Sequence, residues 1–319
     1  MKAAHVLDLD DGPGGGGGAA LFRALRVRGV PCTATVVGFL AGGVRGAEPG
    51  LHFLHDGLPE DLGKAIPEAS RIVLGTRRLA QRLARRSAED VPVPLRSFCG
   101  RPSGVEAVRR AEARDIPVVP FTMLSEAPRR AALMKTYRGS HVLDCEGRLI
   151  AARDGEEAWF RLRELERRGR FPAAVVGAPG ARRFSCAVVI RNRVAVAAGA
   201  VVLDDATPAG RTGLARTVTG RPWIRFVDEV AEILRPDGIH TVEGLLLPGE
   251  NRPRFTASHP VPPDWLPVAG KDGGLLLSAW LDDAEPDDTI PFVEAGRFYA
   301  AVPIDEPVDA RTLMERAAP

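Results

Sequence analysis

Lysine is scarce in this sequence, although positive charge is not. Of the 43 basic residues only four are lysine, namely Lys2, Lys64, Lys135 and Lys271. Lys135 stands in the apolar run 131–137, which predicts a buried strand, and the polar loop 138–141 follows it. An unpaired ammonium is costly to bury, so a lysine kept there indicates a bound anion. A phosphate group and a structural carboxylate are both candidates for that anion.

Other absences exclude several classes of protein. No run of about 18 apolar residues occurs, so no transmembrane helix is expected, and the N-terminus becomes acidic at Asp8, too early for a signal peptide. The net charge of +2 gives no argument for a nucleic-acid partner. The four cysteines form no CxxC pair and the six histidines show no ligand spacing, so we expect reduced thiols and no zinc site. These features predict a cytoplasmic protein that binds neither membrane nor nucleic acid.

The N-terminal region is typical of a β-loop-α-β unit. Residues 3–9 predict a strand, residues 19–28 a helix and residues 33–39 a second strand. The loop after the first strand ends in five consecutive glycines, Gly14 to Gly18. A glycine-rich turn can hold phosphate at a helix N-terminus, so a nucleotide site and a flexible turn are both open here.

The rest of the chain alternates helices, strands and turns. Val105, Val108 and Ala111 recur at helical spacing and predict a helix over 103–114. The other predicted elements are helices over 76–87, 154–168, 221–234 and 309–317, and strands over 71–74, 171–176, 184–190, 194–203, 238–247, 254–257, 275–281 and 298–302. This order favours an α/β fold with a helix-flanked antiparallel sheet in the later part of the chain.

Several segments follow one another in an order known from nucleotide-dependent ligases. Lys135 with Gly139 and Ser140 gives a lysine strand followed by a small-residue loop. Residues 154–158 then open a helix, as expected after such a loop.

The later segments continue this order. Residues 172–180, with Val176 in their middle, look like a hinge strand. Glu243 stands on a late strand, and Thr256-Ala257-Ser258-His259-Pro260 begins thirteen residues after it. Over roughly residues 70–265 the order and spacing resemble the ATP-grasp superfamily of carboxylate–amine ligases.

The resemblance implies a fold class and a domain organisation. The fold class is α/β, with an N-terminal pre-ATP-grasp-like α/β domain followed by ATP-grasp-like α+β subdomains. The implied boundaries are 1–69 for the N-terminal domain, 70–176 for a small or lid subdomain, 177–270 for a C-terminal subdomain with an antiparallel sheet, and 271–319 for an extension. The acidic stretch 282–288 of the extension predicts a solvated loop, with a substrate lid and a homodimer contact as alternatives.

The resemblance also implies a reaction. Ligases of this superfamily phosphorylate a carboxylate with ATP, and an amine then attacks the acyl phosphate to form an amide or peptide-like bond. ATP and Mg²⁺ are the implied cofactors, and a small-molecule carboxylate and an amine or peptide are the implied substrates, in specialised metabolism. The implied site residues are Lys135, Arg77, Arg78, Gly139, Ser140 and Val176 for the nucleotide, Glu243 for the metal, and Arg225 and Arg254 for the substrate carboxylate or the transferring phosphate.

The sequence departs from the family pattern at the metal site. Where the family has Glu-x-Asn, this chain is expected to have Thr256 and Ser258, and a hydroxyl is a poorer magnesium ligand than a carboxylate. Arg183 takes the place of an acid on the strand after the hinge. A catalytically inactive homologue that acts as a binding or scaffold protein is therefore the alternative to a ligase.

Three further interpretations stay open. Glu243 is either the metal ligand or a partner of Arg254 across a hairpin. His259 is either a base for the amine or a histidine at a strand end before Pro260. A nucleotide-dependent enzyme that uses Gly14 to Gly18 is the third hypothesis for function.

Overall fold

The computed structural model describes residues 3–10, 17–38, 49–54, 66, 71–102, 104–206, 212–266, 269–281 and 290–300. Within these ranges the chain forms three β-sheets with helices packed on them. The α/β fold class expected from the sequence is thereby confirmed. Most of the N-terminal glycine run, the acidic stretch 282–288 and the helix expected over 309–317 lie outside the described residues.

The first sheet is parallel and comes from the N-terminal β-loop-α-β unit. Its strand order is β3-β2-β1-β4, with β1 (Ala4–Asp10), β2 (Cys32–Gly38), β3 (Leu51–Leu54) and β4 (Arg71–Leu74). Helix α1 (Gly17–Val27) connects β1 to β2 and buries Leu21, Phe22 and Leu25. Parallel neighbours require a crossover of this kind, which the sequence pattern predicted. Because β4 pairs with β1, this sheet extends beyond residue 69, which is the end of the N-terminal domain that the resemblance implies.

Two helices lead from the first sheet to the second. Helix α2 (Arg77–Ala84) begins after Thr76, whose hydroxyl accepts a hydrogen bond from the Leu79 N–H at 3.4 Å. Helix α3 (Gly104–Glu112) buries the apolar positions that its spacing predicted. Since α2 follows β4 directly, Arg77 lies at the carboxyl end of the parallel sheet, where open α/β sheets commonly place their ligands.

The second sheet is small and antiparallel. Its strand order is β5-β8-β6-β7, with β5 (Phe121–Leu124), β6 (His141–Leu143), β7 (Leu149–Ala151) and β8 (Ala173–Val176). Helices α4 (Arg130–Thr136) and α5 (Gly155–Arg167) pack together beside it. Asp154 caps α5 by accepting a hydrogen bond from the Glu157 N–H at 2.8 Å.

The strand expected over 131–137 is wrong, because most of these residues form helix α4. Leu133 and Tyr137, four residues apart, are buried, whereas Lys135 is exposed on the same helix. A short apolar run fits a helix as well as a strand, and here the burial repeats with the period of a helix. The ammonium of Lys135 therefore reaches solvent and needs no buried anion.

The third sheet is antiparallel and has the strand order β13-β12-β9-β10-β11-β14. Its strands are β9 (Arg182–Arg191), β10 (Val194–Ala206), β11 (Thr212–Val218), β12 (Gly238–Leu246), β13 (Arg254–His259) and β14 (Phe298–Ala300). The predicted β9–β10 hairpin is confirmed, with the two-residue turn Asn192-Arg193 at φ 49° and φ 69°. Two successive positive φ angles are typical of the type I′ turn, whose twist suits a hairpin.

Both faces of this large sheet are covered, which explains its apolar strands. On one face, helices α3 and α6 (Arg221–Ala231) pack on side chains such as Phe184 and Val188. On the other face, α1 and α7 (Gly270–Leu281) pack on Ala187 and Val189. Successive side chains of a strand point to opposite faces, so β9 contributes to both cores.

The segment after residue 270 completes the large sheet. The strand expected over 275–281 is wrong, because helix α7 occupies it and buries Leu276, Leu277 and Trp280. These buried residues are one, three and four positions apart, which is the spacing of one face of a helix. A run of leucines as short as this one does not distinguish a helix from a strand. The strand expected near 298–302 is present as β14, which pairs with β11. None of the helices in the described ranges has the length and apolar character needed to cross a membrane.

Candidate functional site

The centre expected to hold metal and phosphate contains a direct ion pair between Arg77 and Glu243. Arg77 begins α2, and Glu243 lies in β12 of the large sheet. The Arg77 Nη1 donates a hydrogen bond to Glu243 Oε2 at 2.9 Å, and Nη2 donates to Oε1, so one guanidinium holds both carboxylate oxygens. The side chain of Glu243 is 8% exposed and that of Arg77 is 32% exposed. The structural partner of Glu243 is therefore Arg77, and not Arg254.

The electrostatics keep this pair ionised. Burial alone would raise the pKa of Glu243, but the Arg77 guanidinium outweighs it and leaves that pKa below its ordinary value. Burial lowers the pKa of Arg183, and the positive charges of Arg77 and Arg148 act in the same direction. Arginine stays protonated even with such a shift, so two guanidiniums, those of Arg77 and Arg183, act on the Glu243 carboxylate, and that of Arg148 lies near Arg183. The centre carries an excess of positive charge.

A register shift decides which residues of β13 stand beside Glu243. Gly244 pairs with Phe255, but Glu243 pairs with Ala257, so Thr256 is an extra residue at a β-bulge. A side chain at position 244 would overlap the Arg254 carbonyl oxygen and the Phe184 ring, and only glycine fits there. Direct cross-strand neighbours share a face of the sheet, so Ala257 and Glu243 lie side by side.

The same register decides which β13 side chains share the face of Glu243. His259 pairs with Thr241 and shares the face of Glu243, whereas Ser258 pairs with Val242 and faces the other side. Ala257 and His259 therefore lie on the Glu243 face, and the correspondence of Thr256 and Ser258 to the Glu-x-Asn motif stays a prediction. Neither alanine nor a buried histidine supplies the carboxylate or amide oxygen that magnesium requires.

His259 is buried beside this centre, as expected for a residue at the end of a strand. Burial, reinforced by the Arg77 charge, lowers its pKa to about 3, so the imidazole is neutral at physiological pH. Its Nε2 atom has no hydrogen-bond partner among the described residues. Another buried histidine, His240, differs because its Nε2 lies 2.6 Å from the Pro236 carbonyl oxygen. His259 is thus a polar group that no neighbour in the described chain satisfies.

A fully buried acid, Asp144, follows strand β6 directly and begins the β6–β7 turn. Its Oδ1 accepts hydrogen bonds from the N–H groups of Glu146 at 2.9 Å and Arg148 at 2.8 Å. Asp144 thus closes a tight turn and cannot act as a phosphate-binding cation.

This β6–β7 turn packs directly against the rest of the centre. The Gln81 side chain of α2 donates a hydrogen bond to the Glu146 carbonyl oxygen at 3.2 Å, and Arg85, directly after α2, forms an ion pair with the Glu146 carboxylate. A Cβ atom at Gly147 would lie 3.0 Å from the Ala257 Cβ and 3.4 Å from the His259 Cε1. The turn therefore contacts both α2 and β13.

The loop residues assigned to the triphosphate are bound to the hinge strand. The Ser140 N–H donates to the Val176 carbonyl oxygen at 2.8 Å, and the Ser140 hydroxyl accepts a hydrogen bond from the Ala178 N–H at 3.3 Å. Gly139 is equally close, because a Cβ there would lie 2.6 Å from a methyl carbon of Val175. The expected mobile cover over a nucleotide is instead a short connection that is held against β8.

The remaining site candidates lie on other surfaces. Arg225 is exposed on α6 and pairs with Glu229 at 2.9 Å. Arg254 binds both carboxylate oxygens of Glu250, at 2.8 and 2.9 Å. The Arg78 side chain lies outside the described part of the structure. Among the predicted residues, the structure joins Arg77 to Glu243 and, separately, Ser140 to Val176.

The described residues do not fit magnesium-bound ATP in the way the resemblance implies. No group of three or more His, Cys, Asp or Glu side chains able to hold a metal occurs in the described part of the chain. Glu243 is the single acid of the expected set, and Arg77 already neutralises it. Magnesium prefers several oxygen ligands with negative charge, so this centre offers it a poor site.

Sequence reasoning missed two features of the centre. It gave no role to Arg148 at the end of the β6–β7 turn. It treated Arg183 only as the replacement of a family acid, although this arginine lies close to both Glu243 and Arg148. It also missed the bulge at Thr256, which leaves no sign in the spacing and which sets Ala257 opposite Glu243. The pairing of Gly244 with a bulky neighbour, Phe184, is the signal that indicates a close approach there.

Comparison with known proteins gives a consistent picture of the fold. The sequence matches no family model and no curated protein. Its structure is similar to L-amino acid ligase from Bacillus licheniformis, with a TM-score of 0.57 and 12% identity over 89% of this chain and 76% of that chain. N5-carboxyaminoimidazole ribonucleotide synthetase from Thermus thermophilus gives a TM-score of 0.56 and 16% identity, covering 90% of this chain and 80% of that chain.

A third similar structure is a β-γ-ATP complex of biotin carboxylase from Campylobacter jejuni. It has a TM-score of 0.56 and 14% identity, and the match covers 90% of this chain and 72% of that chain. These similar structures are ATP-grasp enzymes, and at identities of 12–16% they establish the architecture alone. The arrangement of the three sheets and the similarity to these enzymes together show that this chain has the ATP-grasp fold.

Proposed function

We propose that this protein is a catalytically inactive ATP-grasp homologue that acts as a binding protein. The observation that carries the proposal is the bidentate contact of Arg77 with Glu243, with Ala257 directly across from that carboxylate. Phosphoryl transfer depends on metal ions that bridge the phosphate oxygens and neutralise the developing charge. A single carboxylate that is already neutralised gives no support for such a metal.

The cations of the centre support binding of an anion without a metal. Arg77 and Arg183 both interact electrostatically with Glu243, and Arg148 lies close enough to Arg183 to lower its pKa. Guanidinium groups bind phosphate and carboxylate through paired hydrogen bonds, and they keep their charge when buried. The excess positive charge attracts an anionic ligand or an acidic partner segment toward α2 and β9.

The contacts of the β6–β7 turn support the same proposal. Glu146 is bound by Gln81 and Arg85, so the turn is fastened to α2 by side chains of this chain itself. A catalytic cycle would have to break these contacts, together with the Arg77–Glu243 pair, each time a nucleotide enters or leaves. A binding protein that keeps its subdomains in one arrangement has no such requirement.

Calorimetric titration with a non-hydrolysable ATP analogue, with and without Mg²⁺, tests the proposal. We expect no increase of affinity with Mg²⁺, and no Mg²⁺-dependent ADP release when ATP is supplied with mixtures of amino acids. Glu243→Ala and Glu106→Ala serve as site variant and matched control, because Glu106 is an exposed glutamate on α3. ADP release that requires Mg²⁺ and disappears in Glu243→Ala, but not in Glu106→Ala, would contradict the proposal.

The ATP-dependent carboxylate–amine ligase is the second candidate, and one observation favours it. Glu243, to which the resemblance assigns the first metal acid, lies in β12 with the guanidiniums of Arg77 and Arg183 nearby, and such cations could also bind phosphate. In that case a small-molecule carboxylate and an amine or peptide would be the substrates, and ATP with Mg²⁺ the cofactors. Opening of α2 away from β12 would be needed to release Glu243. The ADP-release measurement separates this candidate from the binding protein.

A further inference from the structure

A concave site lies on the face of the large sheet opposite to the Arg77–Glu243 centre. It is a cleft of about 510 Å³ between the start of helix α6, strand β11 and the β12–β13 turn. Its apolar floor comes from Val202, Val218, Leu246 and Trp223. The cleft is large enough for a small organic molecule, and its mixed lining is typical of ligand sites.

The strand register separates this cleft from the Arg77–Glu243 centre. Glu243 pairs with Ser185, so Ser185 and Arg183 share its face of the sheet. Arg182, one residue earlier, points to the other face and lines the cleft. Val202 pairs with Arg216, which brings a second guanidinium to the same side. Ligand binding in this cleft therefore does not depend on the proposed function of the other face.

The two arginines give the cleft an unbalanced positive charge. In the described ranges neither Arg182 nor Arg216 has an ion pair or a side-chain hydrogen bond. Glu250, the acid that lines the cleft, is already bound through both of its oxygens by Arg254. The N-terminus of α6 opens into the same space, and the positive end of its dipole adds to the potential.

We propose that this cleft binds an organic carboxylate with an apolar body. The carboxylate forms charge-assisted hydrogen bonds with Arg182 of β9 and Arg216 of β11, the strands on either side of β10. The apolar body of the ligand packs on Trp223 and the valine and leucine side chains of the floor, and its own apolar surface is thereby removed from water. Neutral molecules of the same shape lose the ionic contacts, and small inorganic anions lose the apolar ones.

The test uses 3-phenylpropanoate as the probe and 3-phenylpropanamide as its neutral counterpart, titrated into the full chain and followed by ligand-observed NMR. The site variant is Arg182→Gln/Arg216→Gln, which removes two surface charges and keeps hydrogen-bonding groups. Arg167→Gln, at an exposed arginine on α5, is the matched control for loss of charge. Thermal melting of each variant shows that the fold is retained before binding is compared.

We expect saturable binding of the acid to the wild-type protein and to Arg167→Gln. Binding to the double variant is expected to be weaker by about tenfold or more, because two charge-assisted hydrogen bonds are lost. The amide should bind wild-type protein as weakly as the acid binds the double variant. Equal affinity of the acid for wild-type and double variant, equal affinity of acid and amide, or no saturable binding of the acid at millimolar concentration would overturn the proposal.

Discussion

Replacing Glu243 by glutamine tests the ion pair at the centre of the molecule. The substitution keeps the size of the side chain and removes its charge, so the Arg77 guanidinium loses its counterion. Removing one partner of a buried ion pair costs about 3–5 kcal/mol in the free energy of unfolding. Because 32% of the Arg77 side chain is exposed, its freed charge can reach water, and we expect the lower end of that range or slightly less, about 2–3 kcal/mol.

Urea denaturation with linear extrapolation measures this loss. The matched control is Glu106→Gln, because Glu106 pairs with Arg110 on an exposed helix face, where the side chains are 55% and 60% exposed. An exposed pair of this kind contributes less than about 0.5 kcal/mol. A loss of stability in Glu243→Gln no larger than that in Glu106→Gln would refute this account of the ion pair.

The pH dependence of this loss gives an independent check of its cause. The pKa of Glu243 in the folded protein lies below its ordinary value, so its ionised form stabilises the fold. That contribution is complete above the unfolded pKa, about 4.3, and is lost as the pH falls through the lower folded pKa. The difference between wild type and Glu243→Gln should therefore be constant from neutral pH down to about pH 5 and shrink below about pH 4. A difference that persists unchanged in acid would point to packing, and not to charge, as its origin.

Three further substitutions test local features of the fold. Gly147→Ala should lower the free energy of unfolding by about 1–2 kcal/mol, because φ is +84° and the new Cβ would lie 3.0 Å from that of Ala257; an unchanged melting temperature would contradict this. Asp144→Ala should cost about 1–2 kcal/mol in urea denaturation by removing the acceptor of two partly buried backbone N–H groups, whereas Asp144→Asn, which keeps an acceptor, should cost less; equal losses in the two variants would contradict this. Arg193→Gly should raise the melting temperature, corresponding to about 1 kcal/mol, because its φ of 69° suits glycine; a lower melting temperature would show that the arginine side chain stabilises the hairpin.

The sequence predicted the elements whose signals are local. The two-residue turn at Asn192 and Arg193 and the apolar spacing of Val105, Val108 and Ala111 each fix an element by short-range geometry, and the structure contains both. The order of these elements was sufficient to predict the ATP-grasp fold, because an architecture depends on the succession of elements more than on individual side chains.

The errors arose where burial or register decides the outcome. The runs around Lys135 and Leu276 are too short for periodicity to separate a strand from a helix, and their partners in the tertiary structure made both of them helical. At the metal motif, continued pairing from Gly244 and Phe255 would have set Thr256 opposite Glu243, as the spacing suggested. A single extra residue at the bulge brings Ala257 there instead. Bulges are set by contacts between strands, and one sequence without its fold does not show them.

The replacements at the Arg77–Glu243 centre are physically consistent with one another. A buried glutamate without a metal would be an uncompensated charge, which is among the more destabilising features a core can have. Arg77 removes that cost by binding both carboxylate oxygens, and in doing so it joins α2 to β12 across 166 residues of sequence. Asp144 accepts hydrogen bonds from two backbone N–H groups of a turn that packs on α2 and β13. Glu243 and Asp144 are thus both used for internal contacts that stabilise the fold, and this use of the two acids is what the proposed binding function rests on.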